Sequence, residues 1–350
     1  MNNKSLLFAV SISLFAMSCK KNSSVDSTPT PTPVPLITDV YVGGIENNGT
    51  KDVAKYWKNG VGVSITNGTK DAQITSIVVS GTDIYAGGSE NNGTTDVAKY
   101  WKNGVAVNLS DGTKSAFISS MAVSGSDVYA GGLENNASGI SIAKYWKNGV
   151  AVNLTNGTNY ASVNSISIVG TDVYAGGYEF NGMKNVAKYW KNGVAVNLSD
   201  GTKDAEINSL IVVNNIVYAG GEEYNASNKG IAKYWKNGVA TNITDGTKDA
   251  YVSSMVVLGT DVYAGGYEYN TAGSNGTAKY WKNGTAVNLT DGSKDAAIYA
   301  LTIIGNDLYA AGGESNGTKY IAKYWKNGLA IGLTDGTKNA VITSMAVIVH

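Results

Sequence analysis

The chain of 350 residues has no arginine: all 27 basic side chains are lysines, balanced by 27 acidic ones. Proteins that read nucleic acid carry a basic face and use arginine as their commonest base contact, so nucleic acid is excluded as a partner. A bidentate guanidinium clamp on carboxylate or phosphate is excluded with it. A single cysteine, Cys19, removes any internal disulfide, and a single histidine, His350, removes a multi-histidine metal centre and a Ser/His/Asp triad. No resident metal or cofactor is expected. The only four prolines stand at 29, 31, 33 and 35, so nothing beyond them is broken by proline.

The first nineteen residues read "MNNKSLLFAVSISLFAMSC", one lysine, an apolar run from Leu6 to Met17, then Ser18 and Cys19. The run is short for a bilayer span and fits a secretory signal. It resembles a bacterial lipoprotein signal of the Bacteroidota type, although Ala16 replaces the usual leucine. That resemblance implies cleavage after residue 18 and fatty acylation (palmitate) of Cys19. Residues 19–36, rich in Pro, Thr and Ser, are expected to form an extended spacer. The expected location is the outer membrane, facing the cell surface or the periplasm.

From residue 37 the chain is an array. "AKYWKNG" occurs at 54–60, 98–104, 143–149, 187–193, 232–238, 278–284 and 322–328, with tryptophans 44 to 46 residues apart. A period near 45 belongs to propeller blades of four strands. In the second copy the strands read as "QITSIVVS" (73–80, A), "DIYAGGSE" (83–90, B), "VAKYWK" (97–102, C) and "VAVNLS" (105–110, D), with Asn103-Gly104 as a type I′ turn. The first unit lacks strand A and the last ends with an unpartnered one, so 341–348 is expected to close a ring with 38–66. The expected fold is all-β: a seven-bladed β-propeller over 37–350, four antiparallel strands per blade, monomeric. The Tyr-Ala-Gly-Gly and Tyr-Trp pattern resembles a kelch repeat. Alternation along "AKYW" sends Ala and Tyr to one neighbouring blade and Lys and Trp to the other. The Gly-Gly pair is expected to make room for aromatic rings.

A glutamate follows each Gly-Gly: Glu46, Glu90, Glu134, Glu179, Glu223, Glu268 and Glu314. A diagonal pair with the first lysine of "AKYWK" is preferred to a cation-binding ring, with the modest energy of a surface pair. The aspartates before strand B, and the Asp-Gly pairs such as Asp200-Gly201, read as turn residues.

Function is sought where the copies differ. Trp to the next strand-B Tyr is always 28 residues, so all length variation falls in the B–C loops. Two positions vary most, one opening strand A and one between Gly-Gly and Glu on strand B. They match in kind: Gln73 with Ser89, Phe117 with Leu133, Glu206 with Glu222, Tyr251 with Tyr267, Ala297 with Gly313, Val341 with Ile45, and only Ser162 with Tyr178 mixed. Matching implies that they face each other at the mouth of the central funnel. Tyr178, Glu206, Glu222, Tyr251 and Tyr267 are therefore the candidate ligand-binding residues: carboxylates for hydroxyl groups and rings for stacking, as suits a carbohydrate. A divalent cation between the glutamates is a second option, and solvated glutamates beside packing tyrosines the alternative without function. The expectation is a membrane-anchored extracytoplasmic module that binds a glycan or a protein. A carbohydrate-active enzyme using Glu206 and Glu222, or a periplasmic envelope-assembly scaffold, are the alternatives.

Overall fold

The computed structural model describes residues 37–350; the signal, the spacer and Cys19 lie outside the described residues. Among the described residues every regular element is a strand, and the 28 strands form seven separate four-stranded antiparallel sheets. Blade 1 is completed by both ends of the array: Ala340–Val349 pairs with Thr38–Asn47, followed by Asp52–Lys58 and Val61–Ser64. Ile37 and His350 exchange two backbone hydrogen bonds of 2.8 and 3.0 Å at this seam. Blades 2 to 7 follow in chain order, each innermost strand A lying against strand A of the next until blade 7 returns to blade 1. The fold is the expected ring.

Each blade repeats the same local logic. Asn103 and Gly104 sit at φ of 50° and 82°, the left-handed pair that a type I′ turn needs. The Asn103 Oδ1 accepts the N–H of Ile84 and its Nδ2 donates to Asp83, so the C–D turn is tied to the start of strand B. The aspartates before strand B thus do more than turn the chain. Asp83 also pairs with Lys102 at 2.7 Å, while Lys102 lies over the ring of Tyr85. Blade 5 has Ile216 at this position and lacks the ion pair.

Both faces of strand C meet a neighbour. Ala54 and Tyr56 pack on Ala72, Ile74 and Trp101 of blade 2, whereas Trp57 shares a cluster with Ala311 and Ala322 of blade 7 and with Ala340 and Ile342 of its own strand A. The seven tryptophans are 1–3% exposed, and large apolar side chains contribute roughly 1.5–3 kcal/mol each on full burial. The seven glutamates after Gly-Gly all pair with the first lysine of "AKYWK", as with Lys233 and Glu223 at 3.0 Å and Lys188 and Glu179 at 2.6 Å. They are not surface pairs, however. Lys99, Lys144, Lys188, Lys233 and Lys279 are only 5–8% exposed, and each lies over the tryptophan two residues on.

The glycines serve a different purpose from the one expected. A Cβ on Gly220 would sit 2.3 Å from the Met255 sulfur of the next blade, and one on Gly221 would sit 1.9 Å from the Glu206 carbonyl oxygen. The first glycine of the pair admits the adjacent strand A. The second admits a β-bulge in its own blade, where the register slips between Ile207 and Ser209. Neither borders an aromatic ring as its nearest neighbour.

The bulge sets up the inter-blade seam. The serine after it accepts a backbone N–H from the next blade, as Ser209 does from Met255 and Ser254 from Leu301, both at 3.0 Å. Six blades carry this serine; blade 7 has Ala300.

Candidate functional site

The B–C loop of each blade is bound to the D–A loop that follows. Asn181 donates to the Gly201 carbonyl and Asn225 to that of Gly246, at 3.0 and 2.9 Å. These loops share the face on which strand A begins and strand B ends. All seven variable pairs are direct cross-strand partners: Gln73 with Ser89, Phe117 with Leu133, Ser162 with Tyr178, Glu206 with Glu222, Tyr251 with Tyr267, Ala297 with Gly313 and Val341 with Ile45. The likeness in kind reflects real adjacency.

Glu222, Tyr251 and Tyr267 come together on one cavity of about 440 Å³, with Asn208, Tyr299 and, across the mouth, Thr343. Glu222 is 6% exposed and accepts a 2.8 Å hydrogen bond on Oε2 from the Asn208 amide. The same amide donates to the Val252 carbonyl of blade 6, which fixes its orientation. Burial, and then the nearby Glu206, push the Glu222 carboxyl up to about 8. At neutral pH it is mostly a carboxylic acid, so the like-charge clash expected of two facing glutamates is relieved by protonation.

Tyr251 and Tyr267 stack with centroids 5.1 Å apart and an interplanar angle of 29°, and Tyr269 stands edge-on to both. The Tyr251 and Tyr224 hydroxyls are 3.3 Å apart. Burial raises both stacked phenols well above their ordinary value. Here glycines do border the rings: a Cβ on Gly230 or Gly276, each the first residue of its strand C, would come within 3.3 Å of the ring of Tyr251 or Tyr267.

Glu206 and Tyr178 lie on the blade 4 side and do not line this cavity. Glu206 accepts from the Asn185 amide at 2.8 Å, and burial raises its carboxyl. Tyr178 is raised by burial and then by Glu206, which marks the two as neighbours. The far side of the mouth is chemically plain, with Gln73 bonded to Ser89, Phe117 beside Leu133, and Val341 beside Ile45.

Asn208, Tyr299 and Thr343 occupy the bulge position of strand A, which neither variable pair includes. Its occupants across the ring are Thr75, Ser119, Asn164, Asn208, Ser253, Tyr299 and Thr343. The available signal was that this position also varies, two residues after the first variable one. Among the described residues no three His, Cys, Asp or Glu side chains gather as metal ligands. His350 lies 3.9 Å from Asp39, which opens strand B at the other end of the blades.

No family model matches the chain, and no curated protein sequence does. Solved structures do. The acylaminoacyl peptidase of Pyrococcus horikoshii is similar with a TM-score of 0.52 at 13% identity, covering 85% of this chain and 51% of that one. A puromycin-hydrolyzing peptidase of Mycobacterium tuberculosis reaches 0.57 at 8% identity, covering 86% and 53%. The chain thus spans about half the length of either. At such identities the likeness is one of fold alone, and the fold is a seven-bladed β-propeller.

Proposed function

We propose that the protein is a membrane-anchored extracytoplasmic binding module that holds a glycan at the mouth of the propeller, between blades 5 and 7. One observation carries the reading: a buried carboxyl held by Asn208 lines a cavity of about 440 Å³ beside two stacked tyrosines. With Oε2 occupied by the amide, the other oxygen of Glu222 is left to meet a sugar hydroxyl, as donor or acceptor. The rings supply flat apolar faces for the C–H side of a pyranose. The anchor is Cys19, acylated after removal of residues 1–18, and the Pro-rich spacer holds the ring away from the lipid surface. The repeats are kelch-like in pattern.

The test is retention on immobilised polysaccharides and glycoproteins, comparing the intact chain with Glu222→Ala and Tyr267→Ala. A glycan held by wild type and lost at least about tenfold in both folded variants supports the reading. No glycan held by folded wild type sinks it, and retention of deglycosylated protein instead points to a protein ligand. Mass spectrometry of the mature N-terminus checks acylation at Cys19.

A second reading is favoured by the raised carboxyl. A protonated Glu222 beside Glu206 is in the state that a glycosidic general acid requires. Turnover of a bound glycan that is lost in Glu222→Gln with binding retained would select it.

A further inference from the structure

Four blades carry an aspartate just before strand A: Asp71, Asp204, Asp249 and Asp295. All four use Oδ1 in the same way, accepting the N–H that opens strand C of the preceding blade, from Asp52, Asn185, Gly230 and Gly276 respectively. They differ at Oδ2. Asp71, Asp204 and Asp249 each hold a lysine there at 2.7–2.8 Å: Lys51, Lys184 and Lys229. Blade 6 has Asn275 where those lysines stand, and its amide turns to the Ser293 carbonyl instead. The Oδ2 of Asp295 accepts only the Tyr320 hydroxyl.

The carboxylate without a lysine borders a pocket. Ala297 and Gly313, the smallest variable pair in the ring, leave a cavity of about 230 Å³. Tyr299 and Tyr320 wall it, and both rings are partly open to solvent. The phenol of Tyr320 is pushed up to about 12, chiefly by its bond to Asp295, and burial followed by Asp295 raises Tyr269 and Tyr299. All three rings therefore stay neutral near pH 7. At the equivalent place in blade 2, Gln73 and Ser89 narrow the cavity to about 180 Å³ and Asp71 has its lysine.

A negative charge stripped of its cation, at the edge of a notch lined by aromatic faces, matches the requirements of a bound organic cation. We infer that the blade 7 pocket of Asp295, Tyr299, Tyr320, Ala297 and Gly313 binds an organic ammonium group, the substituent replacing the lysine that Asp71, Asp204 and Asp249 each hold. The pocket shares Tyr299 with the cavity of the glycan reading, but Asp295, Ala297, Gly313 and Tyr320 do not line that cavity and Glu222 does not line this pocket.

The test is calorimetric titration of the full chain with choline chloride at low salt, against 3,3-dimethylbutan-1-ol, which has the same shape without the charge. Choline should bind saturably and at least about tenfold more tightly than the alcohol, with the affinity falling as salt is added. Asp295→Asn keeps the backbone contact and should weaken choline at least about tenfold; Ala297→Leu, filling the notch, should abolish binding. Thermal melts establish that both variants fold. The inference is overturned if folded wild type fails to bind choline, if the alcohol binds equally well, or if Asp295→Asn or Ala297→Leu leaves the affinity unchanged. Asp295 and Ala297 line this pocket and not the Glu222 cavity, so the two variants test it without altering the residues of the glycan reading.

Discussion

The seam between blades and the mouth of the ring are built from the same strands under opposite constraints. Along the seam, one arrangement is copied around the ring: tryptophan buried against the preceding sheet, lysine over it, glutamate paired with the lysine. At the mouth, no two blades carry the same pair, and the pairs range from Glu206 with Glu222 in blade 5 to Ala297 with Gly313 in blade 7. A ring made of one repeated contact tolerates little change in that contact, since any misfit must be absorbed by a close-packed interface. The mouth faces a cavity rather than a partner sheet, so side chains there can change with little penalty to folding. The comparison shows where this architecture stores identity and where it stores difference.

The largest effect should fall on the seam. Trp190→Ala removes a side chain that is 1% exposed and packed on Ala143, Ala161 and Val163. A loss of about 3–5 kcal/mol is expected by denaturant unfolding. A loss under about 1 kcal/mol would mean that the seams do not carry the stability of the ring.

Gly221→Ala comes next. Its Cβ would meet the Glu206 carbonyl at 1.9 Å, backbone against backbone, so about 3 kcal/mol should be lost. Because the bulge also aims Asn208 at Glu222, ligand binding should fall with it. Full binding in a destabilised variant would separate the bulge from the mouth.

Glu222 makes the two regions distinguishable by pH. Its folded value near 8 lies above the ordinary 4.5, so between these limits the folded chain holds a proton that the unfolded chain has lost. Its contribution therefore weakens as pH rises from about 4.5 through about 8, and is constant above that. Glu206, also raised, acts in the same direction. Melting temperatures from pH 5 to 9 should fall more steeply for wild type than for Glu222→Gln, and parallel curves would count against a buried acid at the mouth.

The smallest effect is a gain. Ala300→Ser should restore the acceptor that six other seams possess, to the N–H of Met345 in blade 1, and add about 0.5–1.5 kcal/mol. A neutral or destabilising result would show that this seam differs in more than one atom.

Repetition made the ring readable. Strand period, Asn-Gly turns, ring closure and the facing of variable pairs follow from spacing, because antiparallel pairing across a short turn fixes which residues oppose one another. The glutamate–lysine pairs follow from the same diagonal. The bulge did not follow, and with it went Asn208, Tyr299 and the true reason for Gly-Gly: a one-residue insertion in a strand leaves no mark in the hydrophobic alternation. Burial of the lysines was also missed, because exposure depends on the neighbouring blade rather than on the repeat itself.

By itself, the sequence determined the number of blades, the closure of the ring and which variable residues face one another, since all three are consequences of local periodicity repeated at a fixed interval. Only the tertiary structure decided that Glu222 is buried while Glu206 turns toward Asn185, and that Asp295 faces tyrosines without a lysine. Those outcomes depend on distances between side chains from different blades, and packing around the ring axis sets those distances.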